Sequence, residues 1–64
     1  MDRATFHRQQ AERATAEARR LLEQRDALGP RWLAWVATQL YAMGPPEFAA
    51  MVRRELQRLT GASE

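Results

Sequence analysis

Two breaker clusters, Gly29-Pro30 and Gly44-Pro45-Pro46, fence off the segment RWLAWVATQLYAM at positions 31–43. Proline lacks a backbone donor and glycine weakens a helix, so any helix in this chain must stop or turn at both fences. Between them stand both tryptophans and the only tyrosine. A helix built from this segment is apolar over most of its circumference and has to be surrounded. A chain of 64 residues has little to surround it with, because domains of this size bury only ~60% of the surface they expose when unfolded. Disulfides, metals or self-association usually make up the deficit. The sequence has no cysteine, which excludes disulfides and thiolate metal sites and leaves self-association.

The rest of the chain reads as helix on either side of the fenced segment. Residues 3–28 are dominated by Ala, Arg, Glu, Gln and Leu, all strong helix formers, with no internal Gly or Pro. Asp2 suits the N-cap and Gly29 a left-handed C-terminal stop, with Pro30 opening the next helix. Residues 31–43 and 46–60 form the second and third helices, the latter opened by Pro46, favoured by Glu47 in its first turn and closed by Gly61. The expectation is a single all-α domain over residues 1–64: a long N-terminal helix followed by two shorter ones. Charges along the first helix fall at helical spacing as Arg8–Glu12, Arg13–Glu17, Arg19–Glu23 and Arg20–Glu23.

The first helix carries its small and apolar residues in heptad lines. Ala4, Ala11 and Ala18 lead to Arg25 on one line; His7, Ala14, Leu21 and Leu28 form the other, with Leu22 beside them. At 1.5 Å per residue this helix is roughly 39 Å long, against about 20 and 22 Å for its successors. The shorter helices cover only about half of it, leaving residues 3–17 or so with an alanine stripe fit for close helix contact. A second copy is the economical source of that contact. The sequence therefore predicts a helical-hairpin-like homodimer whose seam is Ala4, His7, Ala11, Ala14, Ala18 and Leu21, the alternative being a solvated, salt-bridged helix. The third helix has an apolar stripe of Phe48, Ala49, Val52, Leu56 and Leu59.

On a helical projection of the fenced segment, Trp32, Met43, Val36, Leu40, Leu33 and Ala37 cover an arc of about 140°, the expected packing face. Arg31, Thr38 and Gln39 mark the solvent side, with Trp35 between the last two and Tyr41 on the flank beside Ala34. Trp, Tyr and Arg are enriched in binding hot spots. Trp35, Tyr41, Arg31, Thr38 and Gln39 are therefore the candidate partner-binding residues. The alternative for Trp35 is cover by the first helix or by a second copy.

Residue chemistry argues against catalysis and against cofactors. There is one histidine, one serine in the tail, and no Gly-rich phosphate loop. His7 has no carboxylate or second histidine one turn away, so neither a nucleophile–base pair nor a metal site is assembled from one chain. Glu12, Glu17 and Glu23 have arginine neighbours and read as surface partners.

Nucleic acid is the alternative function. Arg53, Arg54, Gln57 and Arg58 share the face that a recognition helix presents to the major groove, and the third helix would carry a small DNA-binding regulator. Against it stand a stiff Gly-Pro-Pro turn, the acids Glu47 and Glu55, and a net charge of only +2. That charge is spread evenly, with six Arg and five acids in residues 1–28 and four Arg and three acids in residues 29–64. The N-terminus is polar and no apolar run reaches ~20 residues, so neither a signal peptide nor a membrane span is expected. Twelve alanines and the absence of Lys, Ile and Asn suggest a GC-rich genome.

The segment LEQRDALGPRWLAWVATQLYAM, residues 22–43, resembles small accessory proteins of Pseudomonas phages, among which are quorum-sensing anti-activators. The resemblance rests on no strict motif, so it transfers no binding residue. It implies a small helical dimer acting in the host bacterial cytoplasm. There it would bind and inhibit a transcriptional activator of the acyl-homoserine-lactone receptor type, with no chemistry of its own.

Overall fold

Asp2 opens the first helix: in the computed structural model, which describes residues 2–61, its carboxylate accepts the Thr5 N–H at 2.7 Å. Helix α1 runs Arg3–Leu22, a four-residue turn of helix α2 follows over Arg25–Leu28, and a 3-10 turn over Gly29–Arg31 leads directly into α3, Trp32–Ala42. After the Gly44-Pro45-Pro46 turn, α4 spans Pro46–Thr60. No strand occurs among the described residues, and the all-α class expected from the sequence is what the chain adopts.

The subdivision differs from the expectation. Three separate helices over 3–28, 31–43 and 46–60 were predicted; the chain instead makes one long helical run, bent at Glu23–Gln24 and again at Gly29–Arg31, and then α4 as a second. The bend at Glu23–Gln24 lies among strong helix formers, so its cause is tertiary rather than local. Where α1 ends, the Leu21 carbonyl accepts the Gln24 N–H at 3.2 Å in place of the usual bond from four residues on. The Trp32 indole N–H takes that carbonyl at 2.8 Å from eleven positions further on. A straight helix would carry Trp32 about 16 Å past Leu21, so this bond requires the run to double back. At the second bend Gly29 has φ +58° but ψ −131°, outside the left-handed helical basin that was expected. This combination too is open only to glycine. Gly61 does close α4 in the left-handed conformation, with φ 72° and ψ 14°.

Folding back places Gln39, Ala42 and Met43 beside Gln10, Arg13 and Glu17 of α1. The turn then starts α4 next to the same part of α1: the Arg13 guanidinium sits 5.5 Å from the Phe48 ring centroid, and the Thr15 hydroxyl lies 3.0 Å from Glu55 Oε1. Helix α4 therefore runs alongside α1 in the same sense, while α3 returns in the opposite one. The core between them is Ala14, Ala18 and Leu21 from α1, Trp32 and Val36 from α3, and Val52 and Leu56 from α4.

Two expectations about α1 are corrected here. Its covered part begins near Gln10 and Ala11, so the uncovered portion is the first two turns rather than residues 3–17. Ala14, Ala18 and Leu21 have no exposed surface at all within the single chain. Small side chains at 14 and 18 let the α4 backbone approach closely, and that approach uses up the inner half of the seam assigned to a second copy. Ala4 and His7 remain exposed and Ala11 is half-buried.

The expected surface ion pairs also rearrange. Glu17 pairs with Arg20 at 2.9 Å, while Arg13 is turned over Phe48. Among the described residues the other ion pair is Arg58–Glu55 at 2.7 Å. None of the four pairs read from α1 spacing forms.

Candidate functional site: an open groove between α3 and α4

Helix α3 has no polar stripe wide enough to fix its orientation, because apolar residues fall at nearly every angle around it. Packing fixes it instead. The residues turned inward are Trp32, Trp35, Val36, Gln39, Leu40 and Met43, all buried or half-buried. This arc is as wide as the projected one but rotated by about 60° toward Trp35 and Gln39. The rotation follows from the indole bond to Leu21, which pins Trp32, and from the need to meet α1 as well as α4. Leu33 and Ala37, assigned to the packing face from sequence, turn outward as a result, with Leu33 at 74% exposure.

Leu33, Ala37 and Tyr41 are four residues apart and so form a single line along α3. Tyr41 at its end is 94% exposed. Beside this line runs a groove shared with α4. At one end it is a hollow of about 450 Å³ floored by Trp32, Val36, Leu40 and Leu56. It continues past Ala37, Leu40 and Arg53 into a second hollow of about 590 Å³ that reaches Tyr41, Pro46 and Ala49. The far wall belongs to α4, with Arg53 and Gln57 on it. Burying an exposed leucine and tyrosine on a partner is favourable by about 25 cal/mol per Å² of apolar surface removed from water.

The residues expected to bind a partner are dispersed by this rotation. Tyr41 and Arg31 are exposed as expected, and so is Thr38, whose hydroxyl donates to the Ala34 carbonyl at 3.1 Å. Trp35 and Gln39 are corrected: both are half-buried, and Trp35 packs against the core. Of the alternatives for Trp35, cover within its own chain is the one realised. Leu33 and Ala37 were missed as surface residues because their angular position depends on where α1 lies, which α3 alone does not encode.

The residues of the arginine-rich face of α4, Arg53, Arg54, Gln57 and Arg58, are all exposed. Arg53 and Gln57 line the groove toward α3. Arg54, about 100° further round α4, edges the cleft toward α1 with Phe6, His7, Ala11 and Met51. Arg58 donates to both Glu55 carboxylate oxygens, at 2.7 and 3.3 Å. Glu55 is therefore the polar node of the α1–α4 contact. Hydrogen bonds from Arg58 and from Thr15 hold its carboxyl below the ordinary carboxylate range, and the same pairing raises Arg58. The Thr15 hydroxyl has one proton and two acceptors in reach, Glu55 and the Ala11 carbonyl at 3.0 Å; the charged oxygen is the stronger one.

No group of three or more His, Asp or Glu side chains with metal-binding proximity occurs among the described residues. Among those residues, no helix is long and apolar enough to cross a membrane. The chain matches no protein-family model, and no curated protein or solved structure is significantly similar to it.

Proposed function

We propose that this chain is a non-enzymatic interaction module that inhibits another protein by covering one of its surfaces, and that the α3–α4 groove is the covering face. The observation that carries this reading is the line Leu33, Ala37, Tyr41, left exposed along a groove with an apolar floor. A 64-residue chain has few apolar side chains to spare. Leaving a leucine and a tyrosine in water is best understood as a surface kept for association. Arg31 stands at the entrance to α3 and Thr38 on its outer side, both exposed. The resemblance of residues 22–43 to phage anti-activators supplies the target class: a host transcriptional activator of the quorum-sensing receptor type, bound in the bacterial cytoplasm.

The test is a titration of such a receptor, bound to its promoter duplex, with the purified chain. The chain is expected to lower promoter occupancy in proportion to a direct complex seen by calorimetry. A Leu33→Ser/Tyr41→Ser double variant is expected to keep its helical circular dichroism and lose both effects. Unchanged occupancy with no heat of binding would remove the receptor as target. Full activity in the double variant would move the covering face elsewhere. The DNA-binding alternative is weaker in this geometry, because Arg58 is paired with Glu55 and Arg53 edges the α3–α4 groove. It predicts a salt-dependent shift of the duplex by the chain alone.

Self-association is a second reading, favoured by one observation. Phe6 is 52% exposed on the uncovered start of α1, next to the cleft lined by His7, Phe48 and Met51. A dimer seam built there uses Ala4, Phe6, His7 and Ala11 rather than the buried Ala14, Ala18 and Leu21. Light scattering at micromolar concentration decides it: twice the chain mass in the wild type, and a single mass in Phe6→Ser.

A further inference from the structure

The charge lining the α3–α4 groove has one sign. Its charged side chains are Arg25 at one end and Arg53 midway, and no acid lines it among the described residues. Composition does not force this, since the chain has eight acids to ten arginines. The two ion pairs among the described residues occupy Arg20 and Arg58 and involve neither groove arginine. Arg25 is moreover held in place, with its guanidinium 5.3 Å from the Trp32 ring centroid. Stacking on a ring leaves the N–H donors at the edge of the guanidinium plane free for a carboxylate. The groove is thus an apolar floor with two positive groups along it. The exposed line from Leu33 to Tyr41 spans about 12 Å, a little over two turns of helix.

We propose that the occupant of this groove is an amphipathic helix of a partner protein whose apolar face is flanked by Asp and Glu. This rests on the reading of the groove as the covering face. Apolar residues of the partner at helical spacing fill the hollows over Val36 and Leu40, while its flanking carboxylates meet Arg25 and Arg53. A second copy of this chain fits poorly as the occupant. Two-fold pairing of the face with itself brings Arg53, midway along the groove, toward its own counterpart, and like charges in juxtaposition oppose binding.

Two synthetic helical peptides with the same apolar face, one flanked by Glu and the other by Lys, test this against the full chain by fluorescence anisotropy. The Glu peptide is expected to bind roughly tenfold more tightly at low ionic strength, with the difference shrinking to a few-fold near about 0.5 M salt. Arg53→Glu, on an exposed position whose loss leaves the fold intact by circular dichroism, should weaken the Glu peptide and strengthen the Lys peptide. Arg25→Gln should weaken the Glu peptide alone. Equal binding of both peptides overturns the acidic preference and leaves the groove reading standing. Binding of neither peptide to folded protein overturns both. A Glu preference unmoved by Arg53→Glu and Arg25→Gln places the site elsewhere and overturns the proposal. A dimer that Leu33→Ser dissociates makes a second copy the occupant, which overturns it as well.

Discussion

Helix α4 meets its two neighbouring helices in different ways. Around Val52 the contact with α1 is sealed: Val52, Ala14 and Ala18 have no exposed surface, and Glu55 ties Thr15 and Arg58 into one polar cluster, while the first turns of both helices leave a cleft at Phe6, His7 and Met51. Toward α3 it is open, with a groove floored by Val36, Leu40 and Leu56 and edged by exposed Leu33 and Tyr41. The difference lies in the partner's side chains. Alanines on α1 allow two backbones to approach and exclude water. On α3 the bulky Trp32 and Trp35 are turned toward the core, while Leu33 and Tyr41 point away. The tightest packing lies around Val52, and the longest open apolar surface lies along α3.

The contrast breaks most severely at Trp32. Trp32→Ala removes a nearly buried ring and leaves the Leu21 carbonyl without its indole donor. A loss of about 3–5 kcal/mol is expected, most of the stability of a domain this small, so urea melts should show little folded protein. Trp32→Phe keeps a six-membered aromatic ring but loses the pyrrole part of the indole with its N–H bond, and should cost about 1–3 kcal/mol. If Phe is as costly as Ala, the bond rather than the packing sets the bend.

Overpacking the sealed side comes next. Ala18→Leu should cost about 1–3 kcal/mol because α4 has no room to retreat. Leu33→Ser on the open side should stay within about 0.5 kcal/mol, as expected for surface positions. Equal thermal shifts for the two variants would erase the distinction between the faces. At the bend, Gly29→Ala meets no neighbouring atom within 4 Å, so its cost is conformational only. Since φ is positive there, a loss of more than about 1 kcal/mol is expected in the same melts.

The smallest effect is the pH dependence of the sealed side. The Glu55 carboxyl is held below its ordinary value of 4.5 by Arg58 and Thr15. A carboxyl depressed in the folded state contributes stability that is present in full above the ordinary value and lost as pH falls through the depressed one. Acid titration of the melting temperature should therefore show a component below pH 4.5 that disappears in Glu55→Gln. Persistence of that component in the variant would assign it to other carboxylates.

The bulk of the helical content was legible in the sequence, for local reasons. Asp2, Pro46 and Gly61 act within a few residues of where they stand, and each does in the fold what its chemistry predicts. The apolar stripe of α4 has one strong phase, so Val52 and Leu56 could be placed in the core without knowing what they touch. Helix α3 offered no such phase. Its rotation, and with it the identity of the exposed line, was set by one long-range bond from Trp32 to Leu21 and by the position of α1. The break at Glu23–Gln24 is of the same kind: a favourable helical stretch is interrupted where the Leu21 carbonyl accepts a distant indole N–H. The alanine seam was recognised correctly as a close-packing surface, yet Ala14 and Ala18 meet α4 of the same chain. Spacing encodes how near a neighbour can come and does not say which neighbour it is. The sequence alone therefore determined where helices begin and end at their caps and which residues want burial. Only the tertiary structure decided which apolar residues were left over, because a helix apolar on every side has more surface than its neighbours can cover.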